Sequence, residues 1–155
     1  MKAAAKEELV TIRNPSATRP WQHVLEPLSG YLLLGWRLLE GNPKFAEGWN
    51  FGPADDGFFS VLELVKKVKE SWGKVTYQVN ENHRTLHEAH LLKLDCSKAS
   101  SLLAWKGVWD TEKTIQKTVT WYRNYYRSDF VSSTDDLIEY IQDATAKNLI
   151  WAVTY

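Results

Sequence analysis

Residues 10–41 read VTIRNPSATRPWQHVLEPLSGYLLLGWRLLEG, and this stretch decides the fold class. It opens on the β-branched residues Val10, Thr11 and Ile12 and reaches the turn-forming Asn14-Pro15-Ser16, so residues 10–13 are expected to form a short strand followed by a loop. That loop carries Arg19, Pro20 and Trp21. Pro27 stands where a first helical position would be and Gly41 follows Glu40 as a helix-terminating glycine, which frames a helix over residues 27–40. The apolar side chains of that helix (Leu28, Tyr31, Leu32, Leu33, Leu34, Trp36, Leu38, Leu39) run round most of its circumference, as in a helix covered on several sides.

Downstream, Gly48-Trp49-Asn50-Phe51-Gly52 is a glycine-bounded run expected to be a short buried strand ending near a ligand. Residues 53–57 follow as a loop. Ser60 with Glu63 three residues on forms a capping box, and Val61, Val65, Val68 and Trp72 recur at helical spacing, which predicts a helix over residues 61–72. Residues 75–79 alternate apolar and polar as a half-buried strand does, and residues 91–94 are a second, weaker strand candidate. Helices are expected over residues 97–104, 111–126 and 135–144, the second showing one apolar face through Ile115, Val119, Tyr122 and Tyr126. Alternating strands and helices argue an α/β arrangement. The strands are too few and short to close a sheet, so the helix over residues 27–40 would leave apolar surface exposed unless something else covers it.

Composition narrows the function classes. A chain of 155 residues, 44% apolar, can bury one core. Nineteen basic residues balance nineteen acidic ones, so no broad field draws a nucleic acid or an anionic membrane, and any anion site must be local. Cys96 is the single cysteine, which precludes an intramolecular disulfide and fits a reducing compartment, with the cytoplasm as the default. Residues 1–8 lack the apolar core of a secretory signal. Residues 28–39 are interrupted by Gly30, Gly35 and Arg37 and fall short of the roughly 20 apolar residues that span a bilayer. The eight tryptophans and seven tyrosines are scattered, as core-filling residues with polar tips are.

Three motifs in order carry a resemblance: Arg19-Pro20-Trp21-Gln22-His23-Val24, Trp49-Asn50-Phe51-Gly52-Pro53, and His87-Glu88-Ala89-His90-Leu91-Leu92-Lys93-Leu94-Asp95-Cys96-Ser97-Lys98-Ala99. They resemble the C-terminal half of the extended short-chain dehydrogenases that act on nucleotide sugars, and the closest likeness is to CDP-glucose 4,6-dehydratases, through Arg13-Asn14-Pro15 followed by the first motif. The resemblance implies an α/β substrate-binding portion lacking most of the Rossmann sheet, with residues 1–127 as the nucleotide-sugar-binding unit and residues 128–155 as its helical extension. It implies a CDP-glucose-like nucleotide diphosphate sugar as ligand. Such a diphosphate calls for a planar guanidinium with paired donors. Arg19 stands where the family places a diphosphate-binding arginine, and Arg84 lies near a second. Glu88 falls where an acidic residue meets the ribose, and Asn50 could donate or accept beside the ligand. Arg13 is a further substrate-binding candidate, for base or phosphate alike.

By the same resemblance, the complete enzyme uses NAD to oxidise C4 of the glucosyl group, eliminates water across C5 and C6, and returns the hydride to C6, feeding deoxysugar and lipopolysaccharide O-antigen synthesis. This chain shows neither a Tyr-x-x-x-Lys pair nor a Gly-x-Gly-x-x-Gly turn. The expectation is therefore a truncated or split dehydratase whose residues hold substrate, with no catalytic residue, no NAD bound by the chain alone, and a Rossmann-bearing partner or self-association to complete it. The alternatives are a stand-alone nucleotide-sugar binder and an inactive truncated product. His83, His87 and His90 invite a metal reading, but His87-Glu88-Ala89-His90 has one residue, not two, between the glutamate and the second histidine, so the imidazoles do not share a helical face as in zinc proteases. No metal is expected. Cys96 reads as a small buried residue at a helix start.

Overall fold

The structure, a computed structural model, describes residues 1–54, 57–80 and 92–153. A short helix α1 (Lys2–Ala5) leads to β1 (Val10–Ile12) and β2 (Thr18–Pro20), then to α2 (Leu25–Leu39) and a 3-10 turn (Pro43–Phe45). β3 (Phe58–Ser60), α3 (Val61–Ser71) and β4 (Tyr77–Val79) follow, and the chain ends in three helices, α4 (Ser97–Leu103), α5 (Thr111–Ser128) and α6 (Ser133–Ala146). Among the described residues the sheets are two pairs: β1 runs parallel to β4, with Thr11 opposite Gln78, and β2 runs antiparallel to β3, with Arg19 opposite Phe59. The architecture is mixed α/β with only short sheets, as expected.

Local chemistry accounts for the helices that sequence marks. At α3 the Ser60 hydroxyl accepts from the Glu63 backbone N–H at 3.2 Å and the Glu63 carboxylate accepts from the Ser60 N–H at 2.7 Å, the reciprocal capping box. At α5 the Asp110 side chain accepts from the Lys113 N–H, and Asp129 closes the helix in the left-handed region. α2 begins two residues before Pro27, at Leu25, which puts the proline in the first turn, where its missing N–H would have had no intrahelical partner.

Three expectations are corrected. Residues 18–20 are strand rather than loop, because Pro20 sits at the end of an outer strand where its missing N–H costs no ladder bond. The run 48–52 forms no strand. It crosses the α2 surface as an irregular extended segment, buried at Phe51, whose ring lies against Gly30: a Cβ there would meet it at 2.3 Å. Leu92 to Leu94 are likewise not in a strand, and Leu91 lies outside the described residues.

Three clusters form the core. Trp72, Val75, Ile115 and Val119 join α3 to α5; Leu33, Phe51, Leu103 and Trp105 join α2 to α4; Val108, Trp109, Tyr140, Ala144 and Leu149 seat α6. Residues 128–153 thus pack onto the rest through the third cluster. α2 buries Glu26, Ser29, Gly30 and Leu33 and turns the opposite apolar face outward, with Leu32 at 76% and Leu39 at 88% exposure. The expectation of an uncovered apolar face at this helix is met.

Candidate functional site

The Arg19-Pro20-Trp21-Gln22-His23 run passes from β2 into the first turn of α2, and its side chains alternate between structural duties. The Arg19 guanidinium donates to the Thr18 carbonyl at 2.7 Å and is half-buried. The Trp21 indole N–H donates to the Phe59 carbonyl at 2.8 Å, and the Gln22 amide donates to the Phe51 carbonyl at 2.9 Å. These bonds fix the strand that carries Arg19 against both β3 and the 48–52 segment. Gly57 allows this closeness: its N–H donates to Ala54, its carbonyl accepts from Trp21, and a Cβ would stand 2.2 Å from Pro53 Cβ and 2.9 Å from the Trp21 carbonyl oxygen. Gly57→Ala is therefore expected to lower stability by about 1–3 kcal/mol, the usual cost of overpacking, read as a shift in the denaturation midpoint.

Of the other substrate-binding expectations, Asn50 is exposed and donates to the Asp95 carbonyl at 3.1 Å, tying its segment to the start of α4. Arg13 is exposed just past β1. Arg84 and Glu88 lie outside the described residues, as do His83, His87 and His90 of the metal reading. Among the described residues no group of three metal-ligating side chains is assembled, and no helix is long and apolar enough to cross a membrane. The Cys96 thiol is half-buried, and burial pushes its pKa up.

The most elaborate polar arrangement is one the sequence did not announce. Glu26, 2% exposed, accepts from the backbone N–H groups of Val108 and Trp109, each at 2.8 Å, and from the Tyr140 hydroxyl at 2.8 Å. Ser29, one turn on, donates to the Glu26 carbonyl and accepts from the Trp105 indole N–H at 3.0 Å. Lys147 donates to the Val108 carbonyl, so residue 108 stands between a carboxylate and an ammonium, relaying the pair across one peptide unit. Burial pushes the Glu26 carboxyl above its ordinary value, opposed by the two backbone donors and by Tyr140, and the same burial with the adjacent carboxylate pushes the Tyr140 hydroxyl well up. The carboxylate clamps residues 105–109 onto the first turn of α2. A cleft of about 420 Å³ opens beside this clamp, lined by Trp21, Gly52, Pro53, Cys96, Trp105 and Lys106 among others; Arg13, Arg19 and Asn50 are not among its walls. The only signal for Glu26 in the sequence is an acid within a stretch otherwise apolar, at the start of a helix.

No protein-family model matches the chain. It is 39% identical over 147 residues, 94% of its length, to a CDP-glucose 4,6-dehydratase of Salmonella typhimurium, and 26% identical over 115 residues to a UDP-glucose 4-epimerase of Mycoplasma pneumoniae. In fold it matches a UDP-N-acetylglucosamine 4-epimerase from Bacillus cereus with a TM-score of 0.56 at 18% identity, over 79% of this chain. The chain spans 41%, 33% and 40% of the lengths of these three proteins. The resemblance read from the three motifs is borne out: the chain is homologous, over nearly its whole length, to part of a CDP-glucose 4,6-dehydratase, and it shares its fold with part of a nucleotide-sugar epimerase.

Proposed function

We propose that the chain is the substrate-holding part of a CDP-glucose 4,6-dehydratase-like protein, with residues 1–127 as the binding unit and residues 128–155 as an extension docked on it. The observation that carries this reading is the 39% identity to the dehydratase over 147 residues, 94% of the chain, a span long enough to take in residues 19–24. In this reading Arg19 holds the diphosphate from β2, Arg84 supplies a second cation, Glu88 accepts from the ribose, and Asn50 and Arg13 line the approach. A guanidinium on a strand fixed by Trp21 and Gln22 is held in place before the ligand arrives, which lowers the ordering cost of binding. The contribution to catalysis is positional, because fixing the reacting sugar removes an entropic barrier.

The chain's own residues do not fit a dinucleotide, because the sequence contains no Gly-x-Gly-x-x-Gly strand-to-helix turn to receive its pyrophosphate. In the complete assembly NAD is held by a Rossmann-bearing half, which meets the exposed apolar face of α2. The location of such an assembly is the cytoplasm, and its product serves deoxysugar synthesis for surface polysaccharide. Calorimetric titration with CDP-glucose tests the binding role. Arg19→Ala is expected to weaken affinity tenfold to a hundredfold, since a charged hydrogen bond to phosphate is worth about 1.5–3 kcal/mol. Unchanged affinity in the variant, or no binding to the unmodified chain, overturns the reading.

A further inference from the structure

The chain enters α2 along a seam that is only partly filled. A cleft of about 430 Å³ separates Gln22, His23, Val24 and Leu25 from Trp121 and Tyr122 of α5 and from Ser133 and Asp136 of α6. On its wall the Gln22 side-chain N–H donates to the Phe51 carbonyl, while its Oε1 is buried without a hydrogen-bond partner among the described residues. Exchanging the two amide atoms would set oxygen against oxygen, so the orientation of the amide is fixed. A buried acceptor left unpaired destabilises the closed seam, and water entering an opened one would satisfy it. The closed form therefore needs other contacts to hold it.

His23 supplies them. It is 8% exposed, its ring meets Trp109 edge-on at 4.8 Å, and its Nδ1 accepts from the Leu25 N–H at 3.3 Å. That N–H is one of the first in α2, where no partner exists within the helix, and the N-cap residue Val24 offers no side-chain acceptor. An imidazole accepts at Nδ1 only when neutral. Protonation turns Nδ1 into a second donor facing the Leu25 N–H, and the bond is lost.

The charged groups around the ring are already engaged with one another. Lys117 of α5 is bonded to Asp136 at 3.1 Å and to Glu139 of α6, Asp136 also accepts from Ser132, and Lys113 of α5 is bonded to Glu139. Glu26 of α2 is taken up by Val108, Trp109 and Tyr140. Burial lowers the His23 pKa below the ordinary 6.5; Asp136 opposes this and Lys117 adds to it.

We propose that His23 is a proton-operated latch: neutral, it holds the first turn of α2 against α5 and α6, and protonated, it frees the Leu25 N–H and lets the seam open to water. The device needs no ligand and does not rest on the nucleotide-sugar reading. Its sign follows from linkage. The unfolded chain, at the ordinary pKa, takes the proton more readily than the closed fold, so the stabilisation is complete above that value and is lost as pH falls through the lower one.

The test is nuclear magnetic resonance of the full chain between about pH 8 and pH 5, the range in which histidine titrates. The imidazole nitrogens of His23, the amide protection of Leu25 and the indole signal of Trp121 are followed together. His23 is expected to titrate below 6.5, Leu25 protection to fall about tenfold, the scale of one hydrogen bond, and the Trp121 signal to move with the same midpoint. His23→Asn keeps an acceptor near the place of Nδ1 and cannot titrate, so Leu25 should stay protected throughout. If that variant does not fold, the coincidence of the three midpoints in the unmodified chain decides alone. The proposal is overturned if His23 titrates at or above the ordinary value, or if Leu25 protection does not follow the His23 titration. It is equally overturned if the same change persists in His23→Asn, which would assign it to Asp136, Glu139 or Glu26.

Discussion

Glu26→Ala is expected to destabilise the chain by about 3 kcal/mol or more, because it leaves two buried backbone N–H groups without acceptors at roughly 1–3 kcal/mol each and strands the Tyr140 hydroxyl. Val108 and Trp109, the donors concerned, are buried in the cluster that seats α6. The loss would be a large fraction of the roughly 5–15 kcal/mol that holds a typical domain together. Glu26→Gln keeps the shape but replaces one acceptor oxygen with an NH₂ that must face a donor, so it should cost less than alanine but more than nothing. Urea denaturation of the three proteins orders them; equal midpoints would refute the clamp.

The same carboxylate gives a pH signature. Burial raises its folded-state pKa above the ordinary value of 4.5. The native state therefore binds the proton more tightly than the unfolded chain, and this group's contribution to stability is fullest below the ordinary pKa and is lost as pH rises through the raised one. Removing the titration in Glu26→Gln should flatten that fall, which a series of melts across the acid to neutral range would show.

How much of this was legible in the sequence depends on where each interaction closes. The α3 capping box closes within four residues, Ser60 to Glu63, and could be read directly. The uncovered face of α2 could be read too, because an all-round apolar helix beside few strands has nothing to hide under. β2 could not: three residues containing a proline carry no periodicity, and the pairing partner lies forty residues on, with Arg19 opposite Phe59. The glycine-bounded run 48–52 misled because a buried extended segment has the same composition as a buried strand. What distinguishes the two is Gly30, where the missing Cβ admits the Phe51 ring edge and lets a single residue anchor the segment. The Glu26 clamp was invisible for a further reason: two of its donors are backbone groups, 82 and 83 residues away, and backbone donors have no sequence signature. Of the candidate site, the motif containing Arg19 could be picked out from the sequence, whereas its placement on a strand could not.

Trp105 links the clamp to the core, and its removal should be the other large effect. The residue is buried between α2 and α4, its ring edge-to-face with Phe51 at 5.1 Å, while its N–H reaches Ser29, which in turn donates to the Glu26 carbonyl. Trp105→Ala opens a cavity beneath Phe51 and is expected to cost about 3–5 kcal/mol. Trp105→Phe separates the two roles of the side chain. It keeps an aromatic ring against Phe51 and drops only the donor to Ser29, whose hydroxyl still lies 3.2 Å from the Tyr140 oxygen. Beyond the smaller ring's packing deficit, its polar cost should be about 1 kcal/mol, one ordinary hydrogen bond. Combined with Ser29→Ala, that polar cost should not add again, since both changes remove the same bond. A double variant whose loss equals the sum of the two single losses would mean that the indole N–H and the serine hydroxyl act separately, and the chain of contacts from Trp105 through Ser29 to the first turn of α2 would not exist as an energetic unit.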